Sequence, residues 1–319
     1  MKVLMATYQG ERYLGRQLDS ILGQTVKPGG ILISDDLSTD GTVEIIRDYQ
    51  MRYPGQIQIM DNEQASGGAA ANFLRMLSRE AENESCREKY FLLSDQDDVW
   101  MPDKVEKLLE KMEEMELCFG ADTPILVHSD MKVAGADLSE IHPSFFAYQH
   151  ISPERTALNQ LLVQNPVTGG AAMFNRAMLP YLKRIPETCF MHDWWLALLA
   201  CCFGQIGYVK EPLSFYRQHQ GNTLGARDRK DISQYSERFT QEKDRQVKEN
   251  YRKMFGQAAC LLEMFPDQLN GEQKEVLRAF LRIPCGNVFT RSFLIKKYHF
   301  YKNTLAGTIA QCFTMGIGR

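Results

Sequence analysis

Several familiar signatures are missing from this chain of 319 residues. Its eight cysteines form no C-x-x-C pair, which argues against a structural zinc site or a dithiol redox centre. No apolar run reaches the roughly 18 to 20 residues that span a bilayer. G-x-S-x-G and H-E-x-x-H are absent, so nucleophilic or zinc-dependent hydrolysis finds no support. Neither a P-loop nor G-x-G-x-x-G occurs, and there is no internal repeat or low-complexity tract. A formal charge of −3 argues against bulk nucleic-acid binding. Lys2 to Thr7 already read as a strand, so no leader peptide is expected, and reduced thiols in the cytoplasm fit the cysteine pattern. Acidic residues stop at Glu275, whereas Arg278, Arg282, Arg291, Lys296, Lys297, Lys302 and Arg319 follow.

Short apolar runs alternate with helical patterns through the first hundred residues. Val3-Leu4-Met5, Ile31-Leu32-Ile33, Ile57 to Met60 and Tyr90 to Leu93 are each followed by helical spacing, near 13–22, 42–53, 69–82 and 103–116. Strand and helix repeated in this way predict an α/β fold, a mostly parallel sheet with helices on both faces. Beyond it, Ile125 to His128 and Gly169 to Phe174 read as strands and 134–153 as a long loop. Trp194 to Phe203 reads as a helix buried on every side, and Ile206 to Val209 and Leu213 to Tyr216 as two short strands. The signal after Ala226 is helical only. These features predict an α/β domain over 1–225 and a helical C-terminal region over 226–319.

Ligands of parallel sheets bind outside the carboxyl ends of the strands, where this sequence concentrates aspartate. Asp95, Asp97 and Asp98 follow Tyr90 to Leu93, and their mutual repulsion is costly unless a cation or a donor-rich ligand intervenes. A hard divalent ion holding a diphosphate needs only one or two protein carboxylates. Asp97 is the first choice as metal ligand. Asp95 comes next, facing ribose or a metal-bound water. The plainer alternative is an acidic turn capping the next helix, a role open to Asp98. Asp35 and Asp36 end the second strand, and a carboxylate there can accept the N3–H of a pyrimidine, a role given to Asp36. Asp40 suits helix capping.

Asp193, in Met191-His192-Asp193-Trp194-Trp195, is the candidate general base, because burial beside indoles raises a carboxylate's proton affinity. An N-cap is the alternative, and His192 is either its orienting neighbour or a surface residue. In Tyr216-Arg217-Gln218-His219, Arg217 can grip phosphate and His219 can complete a metal site. The Gly67-Gly68 loop can bring backbone amides to an anion.

Thr7-Tyr8-Gln9-Gly10-Glu11, Ser34 to Asp40, Asp95-Gln96-Asp97-Asp98, His192 to Trp195 and Tyr216 to His219 stand in the order and spacing of glycosyltransferase family 2. The resemblance covers about residues 1–225. Leu126 to Asp130, Met191 to Trp195 and Gly225-Ala226-Arg227 after His219 look most like bacterial rhamnosyltransferases that build cell-wall rhamnose polysaccharides. The resemblance implies a GT-A fold, a nucleotide-sugar donor, Mg²⁺ or Mn²⁺, and inversion at the anomeric carbon. Carried over, Thr7, Tyr8, Glu11 and Asp36 hold the nucleoside, Asp95 and Asp97 form the metal-binding motif, Asp193 is the base, and His219 contacts metal or diphosphate. Gln9 stands where the family usually has Asn, and Ala6 where it often has Pro.

The expected activity is therefore transfer of L-rhamnose from dTDP-β-L-rhamnose to a hydroxyl of a lipid-linked saccharide. A UDP-hexose donor is the first rival, since uracil and thymine present the same hydrogen-bonding edge. A nucleotidyltransferase would have no use for a base at Asp193, and a non-catalytic scaffold no use for the intact aspartates. The basic, aromatic-rich tail suggests peripheral attachment to the anionic inner leaflet of the plasma membrane, against the plainer reading of a helical cap.

Overall fold

A computed structural model describes residues 1–219 and 241–316. The chain forms two compact units, each discontinuous in sequence. The first comprises Met1–Phe146, Val167–Ile185 and the described part of Gly204–Ala226. The second comprises Ala147–Pro166, Pro186–Phe203 and the described part of Arg227–Arg319. The boundary expected at 225 and the Gly225-Ala226-Arg227 motif lie outside the described residues. Segments 147–166 and 186–203, expected within the α/β domain, cluster with the helical unit instead.

The first unit opens with β1 (Lys2–Thr7), α1 (Leu14–Leu22), β2 (Gly30–Asp35), α2 (Thr42–Arg52), β3 (Ile57–Met60), α3 (Ala69–Glu82) and β4 (Tyr90–Ser94). Strands β1, β2 and β4 are buried along nearly their whole length, the mark of a sheet covered on both faces. Their order is β3-β2-β1-β4, all parallel, as the alternating pattern predicts. Then come β5 (Val99–Trp100), α4 (Lys104–Phe119), β6 (Ile125–Ala134), β7 (Glu140–His142) and α5 (Phe145–Gln149), which ends across the unit division. Here the sheet becomes mixed. Strand β8 (Ala172–Asn175) runs antiparallel to both β4 and β6, whereas β9 (Gln205–Arg217) runs parallel to β6 and antiparallel to β5. Val3, Met5, Ile33, Leu92, Leu108, Met112 and Val127 meet in one core.

Two local expectations need correction. The loop foreseen over 134–153 contains β7 and α5, because Asp130 accepts hydrogen bonds from the Ser144 hydroxyl and the Phe145 and Phe146 amides. The two strands foreseen over 206–216 are one strand. Its pairing with β6 shifts register around Asp130, so Pro212 sits at an irregularity where a missing amide costs little.

The second unit contains α6 (Leu158–Leu161), α7 (His192–Phe203), α8 (Gln241–Met264), α9 (Gly271–Arg282), α10 (Val288–Lys297) and α11 (Leu305–Thr314). As its sequence predicts, α7 is buried continuously from Trp194 to Ala200, though Cys201 to Phe203 at its end are only partly so. Asn270, Asn287 and Thr304 cap the last three helices by accepting from Gln273, Thr290 and Gly307 amides. Phe280 packs between Phe255, tilted at 4.7 Å, and Phe300, edge-on at 5.3 Å. Among the described residues no helix is long and apolar enough to cross a membrane. All eight cysteines are free thiols.

Candidate active site

The loops after β1, β2 and β4 leave neighbouring parallel strands on the same side and are tied to one another. Thr7 donates to Asp35 at 2.8 Å, and Asp35 also accepts from the Ser38 amide and hydroxyl. Gln96 accepts from the Tyr8 amide and donates to the Tyr8 carbonyl, both at 2.8 Å. Gln9, in the left-handed region with φ of 51°, holds the Thr39 and Asp40 amides through its side-chain carbonyl. Glu11 accepts from the Gly41 amide at 2.7 Å, and Asp40 accepts from Thr42, so both cap the start of α2. The Tyr8 ring is left 57 % exposed, open to a planar ligand.

Asp36 is 7 % exposed and accepts from the Ser66 amide and hydroxyl at 2.5 and 2.8 Å. Each carboxylate oxygen has a second lone pair, so Asp36 keeps capacity for a base N–H. Ser66 thereby fixes the loop that leads through Gly67 and Gly68 (φ of 92° and 132°) into α3.

The acidic loop after β4 is built around a carboxylate–imidazole contact and a buried lysine. His219 Nε2 lies 2.7 Å from Asp97 Oδ2, and the Tyr13 ring packs on the imidazole at 4.8 Å. Asp98 is buried; Oδ1 accepts from the Arg217 amide, whereas Oδ2 has no hydrogen-bond partner among the described residues. Burial pushes the Asp98 pKa well above the usual carboxylate range, and the charges of Asp97 and Asp95 push it further. Lys104, wholly buried in the first turn of α4, donates to the Gly170 carbonyl and lies over the Trp100 ring at 4.1 Å. Burial lowers its pKa to about 7, opposed by the fields of Asp98 and Asp95. A Cβ on Gly170 would lie 2.9 Å from Asp95 Oδ2 and 3.0 Å from Asp98 Oδ2. Only glycine admits both carboxylates at this spot.

Arg217 departs from the phosphate grip expected of it. The residue is 2 % exposed, its Nε donates to the Asp97 carbonyl at 2.7 Å, and its Nη1 to the Ala136 carbonyl at 2.5 Å. Its guanidinium lies 4.5 Å from the centre of the Tyr13 ring. Placed so, it clamps the acidic loop onto β9.

The carboxylate–imidazole pair of Asp97 and His219 fits a hard divalent ion that takes its remaining ligands from phosphate and water. The unpartnered Asp98 oxygen and the Asp95 carboxylate lie beside Gly170 without supplying a third direct donor. Among the described residues no group of three or more His, Cys, Asp or Glu is gathered as a ready-made metal cage.

In the second unit, Asp193 stands half-buried in the first turn of α7 and accepts from the Asn165 amide group at 3.3 Å. Trp195 is fully buried and Trp194 donates to the Leu161 carbonyl at 2.6 Å. His192 is buried and burial lowers its pKa to about 3, so it is a neutral interior residue rather than a surface one. Gln96, Lys104 and Ser66 were given no role of their own from the sequence. Lys104 in particular reads there as one more charge on a solvated helix.

A sequence model described as glycosyl transferase family 2 matches residues 2–179. A protein of Shigella flexneri described as dTDP-rhamnosyl transferase RfbG is 30 % identical over 228 residues, which is 70 % of this chain and 74 % of that protein. A Bacillus subtilis protein described as putative teichuronic acid biosynthesis glycosyltransferase TuaG is 32 % identical over 220 residues, 68 % of this chain and 78 % of the relative. Among solved structures, S. aureus TarS 1-349 in complex with UDP-GlcNAc superposes with a TM-score of 0.57 at 17 % identity, covering 88 % of this chain and 71 % of that one. The mannosyltransferase PcManGT from Pyrobaculum calidifontis, in complex with GDP-Man and Mn²⁺, gives 0.52 at 14 % identity, covering 98 % and 78 %. These structural matches bear on the fold.

Proposed function

The chain belongs to glycosyl transferase family 2, and from that premise we propose that it transfers L-rhamnose from dTDP-β-L-rhamnose to a hydroxyl of a lipid-linked saccharide. The observation that carries the reading is the Asp97–His219 pair at the end of β4, beside the linked loops of Thr7, Tyr8 and Asp36. The described activity of the Shigella relative favours rhamnose as the sugar.

The reaction is a single in-line displacement. Asp193 takes the proton of the acceptor hydroxyl while that oxygen forms its bond to the anomeric carbon. The bond from that carbon to the diphosphate breaks on the opposite face, and the β donor yields an α-L-rhamnoside. Asn165 holds the Asp193 carboxylate in one orientation. Tyr8 offers its exposed ring to the thymine, Asp36 accepts the base N3–H, and Asp95 faces the ribose. Mg²⁺ or Mn²⁺, held by Asp97 and His219, would neutralise charge on the departing diphosphate.

The UDP-GlcNAc bound by TarS supports a second reading, a UDP-hexose donor on the same fold. A thermal-shift panel of dTDP-rhamnose, UDP-glucose, UDP-galactose and UDP-N-acetylglucosamine, each with and without Mn²⁺, separates the two. A ligand at about a hundred times its Kd adds about 2.7 kcal/mol to native stability. The greatest shift is expected from dTDP-rhamnose with Mn²⁺, and a greater one from any UDP-sugar transfers the assignment to that sugar. An acceptor carried on lipid would be met in the cytoplasm, at the inner face of the plasma membrane, in peripheral contact with anionic lipid.

A further inference from the structure

Five large apolar side chains stand in solvent on two helices of the second unit. Phe289 and Phe293 on α10 are 86 % and 63 % exposed, and Leu305, Ile309 and Phe313 on α11 are 77 %, 53 % and 65 % exposed. Each set recurs every four residues, so each forms a stripe along one side of its helix. The other sides are already committed to the interior, through Leu294 and Ile295 on α10 and Gln311 on α11. The two helices pack against one another. Single exposed apolar residues are ordinary, but two stripes on adjoining helices mark an interaction surface.

Charge selects the partner. Residues 276–316 contain no Asp or Glu, and α11 carries no charge of either sign. Exposed Lys296 and Lys297 end α10, and exposed Arg282 ends α9 before it. A second copy pairing through this face would set the exposed Arg282, Lys296 and Lys297 of one copy against those of the other, since a two-fold interface meets its own surface. An anionic bilayer suits both properties. Aromatic and aliphatic side chains enter the acyl boundary while lysines stay at the headgroups.

We infer that the outer face of α10 and α11 is an interfacial membrane anchor, inserting Phe289, Phe293, Leu305, Ile309 and Phe313 into an anionic leaflet with Lys296 and Lys297 on its phosphates. The inference deepens the membrane-side placement proposed above and rests on it only for which leaflet is met. No helix crosses the bilayer in this arrangement, so the attachment is reversible.

The test is sedimentation of the full chain with phosphatidylglycerol-containing vesicles and with pure phosphatidylcholine vesicles. Wild type should pellet with the anionic vesicles and be released by salt. Phe289→Ser with Phe293→Ser, and separately Ile309→Ser with Phe313→Ser, should each weaken vesicle affinity about tenfold or more. Lys296→Gln with Lys297→Gln should abolish the preference for anionic lipid while leaving residual neutral binding. These residues are exposed, so the melting temperature and the stabilisation given by dTDP-rhamnose with Mn²⁺ should stay at wild-type values. Equal pelleting of wild type and both serine variants overturns the inference, as does absence of pelleting with anionic vesicles. A concentration-dependent dimer lost in the serine variants would overturn it too, in favour of a second copy. Failure of vesicle binding with intact nucleotide-sugar stabilisation removes the anchor and leaves the transferase reading standing; the converse removes only the latter.

Discussion

The Lys104 ammonium, without exposed surface, donates to the Gly170 carbonyl at 2.5 Å. The same glycine turns its Cα toward the carboxylates of Asp95 and Asp98. One short turn before β8 therefore meets a lysine nitrogen through its carbonyl and two carboxyl groups at its bare α-carbon. The acidic loop keeps its shape because residues far apart in sequence close around it: Gln96 on Tyr8, Arg217 on Asp97, and Gly170 beneath.

Gly170→Ala tests that closeness. A methyl group at 2.9 to 3.0 Å from two carboxylate oxygens forces Asp95 or Asp98 to move. Displacements of about 1 Å in a reacting site cost on the order of a hundredfold in rate. Titration of dTDP in the presence of Mn²⁺ should show weakened binding, with a melting temperature close to wild type. Unaltered binding and turnover would mean that the carboxylates facing Gly170 take no part in holding the donor.

Lys104→Met removes the buried cation but keeps the length of the side chain. Breaking a buried charge arrangement by removing one member costs about 3 to 5 kcal/mol. A fall of about 3 kcal/mol in urea-unfolding free energy is expected. Asp98→Asn in the same chain should restore part of it, since the buried carboxyl group whose field acts on Lys104 is then gone. Strict additivity of the two substitutions would show that Lys104 and Asp98 do not act on each other.

Much of this was legible in the sequence where chemistry is local. Repeated apolar runs announced β1 to β4 and their helices, and the aspartates at strand ends announced the loops that meet there. His219 and Asp97 are 122 positions apart, yet residue type and motif order pointed to both. What stayed hidden depends on tertiary pairing. The antiparallel insertion of β8 between β4 and β6 has no local signature. Lys210-Glu211-Pro212 interrupts the apolar run of β9, and only the shifted register on β6 lets the strand continue. Lys104 follows Pro102-Asp103 at the start of a charged helix and looks solvated, because its partner is the carbonyl of a glycine 66 residues away. Arg217 looked like a phosphate ligand for the same reason: its carbonyl acceptors cannot be seen in a pattern of side chains.

His128 supplies a prediction in acid. It is wholly buried on β6, meeting the Phe146 ring edge-on at 5.7 Å, and burial lowers its pKa from 6.5 to about 3. Between those values the unfolded chain takes up a proton that the native ring refuses. Native stability therefore falls as pH drops below about 6.5, by about 1.4 kcal/mol per pH unit for this one group. His128→Leu should flatten the trend, so that going from pH 7 to pH 5 costs the variant about 2 kcal/mol less than wild type. Carboxylates contribute equally to both chains and cancel in the comparison. Identical acid slopes in urea unfolding would remove His128 from the account.

Asp193→Asn addresses the proposed base. The change keeps the size of the side chain in the first turn of α7 and removes its charge, an effect on the helix terminus of about 0.3 to 1 kcal/mol. Folding should therefore survive. Stabilisation by dTDP-rhamnose should stay near wild type, because the donor makes no use of this carboxylate. Product formation should fall by about 10² or more, the scale of a positioned base. Asn165→Ala leaves the carboxylate in place but frees its orientation. It should lower kcat by a smaller factor than Asp193→Asn and leave donor affinity unchanged, whereas a purely structural asparagine would alter the melting temperature and not kcat. Near-normal turnover in Asp193→Asn would transfer the proton to another acceptor and leave Asn165 without a carboxylate to position.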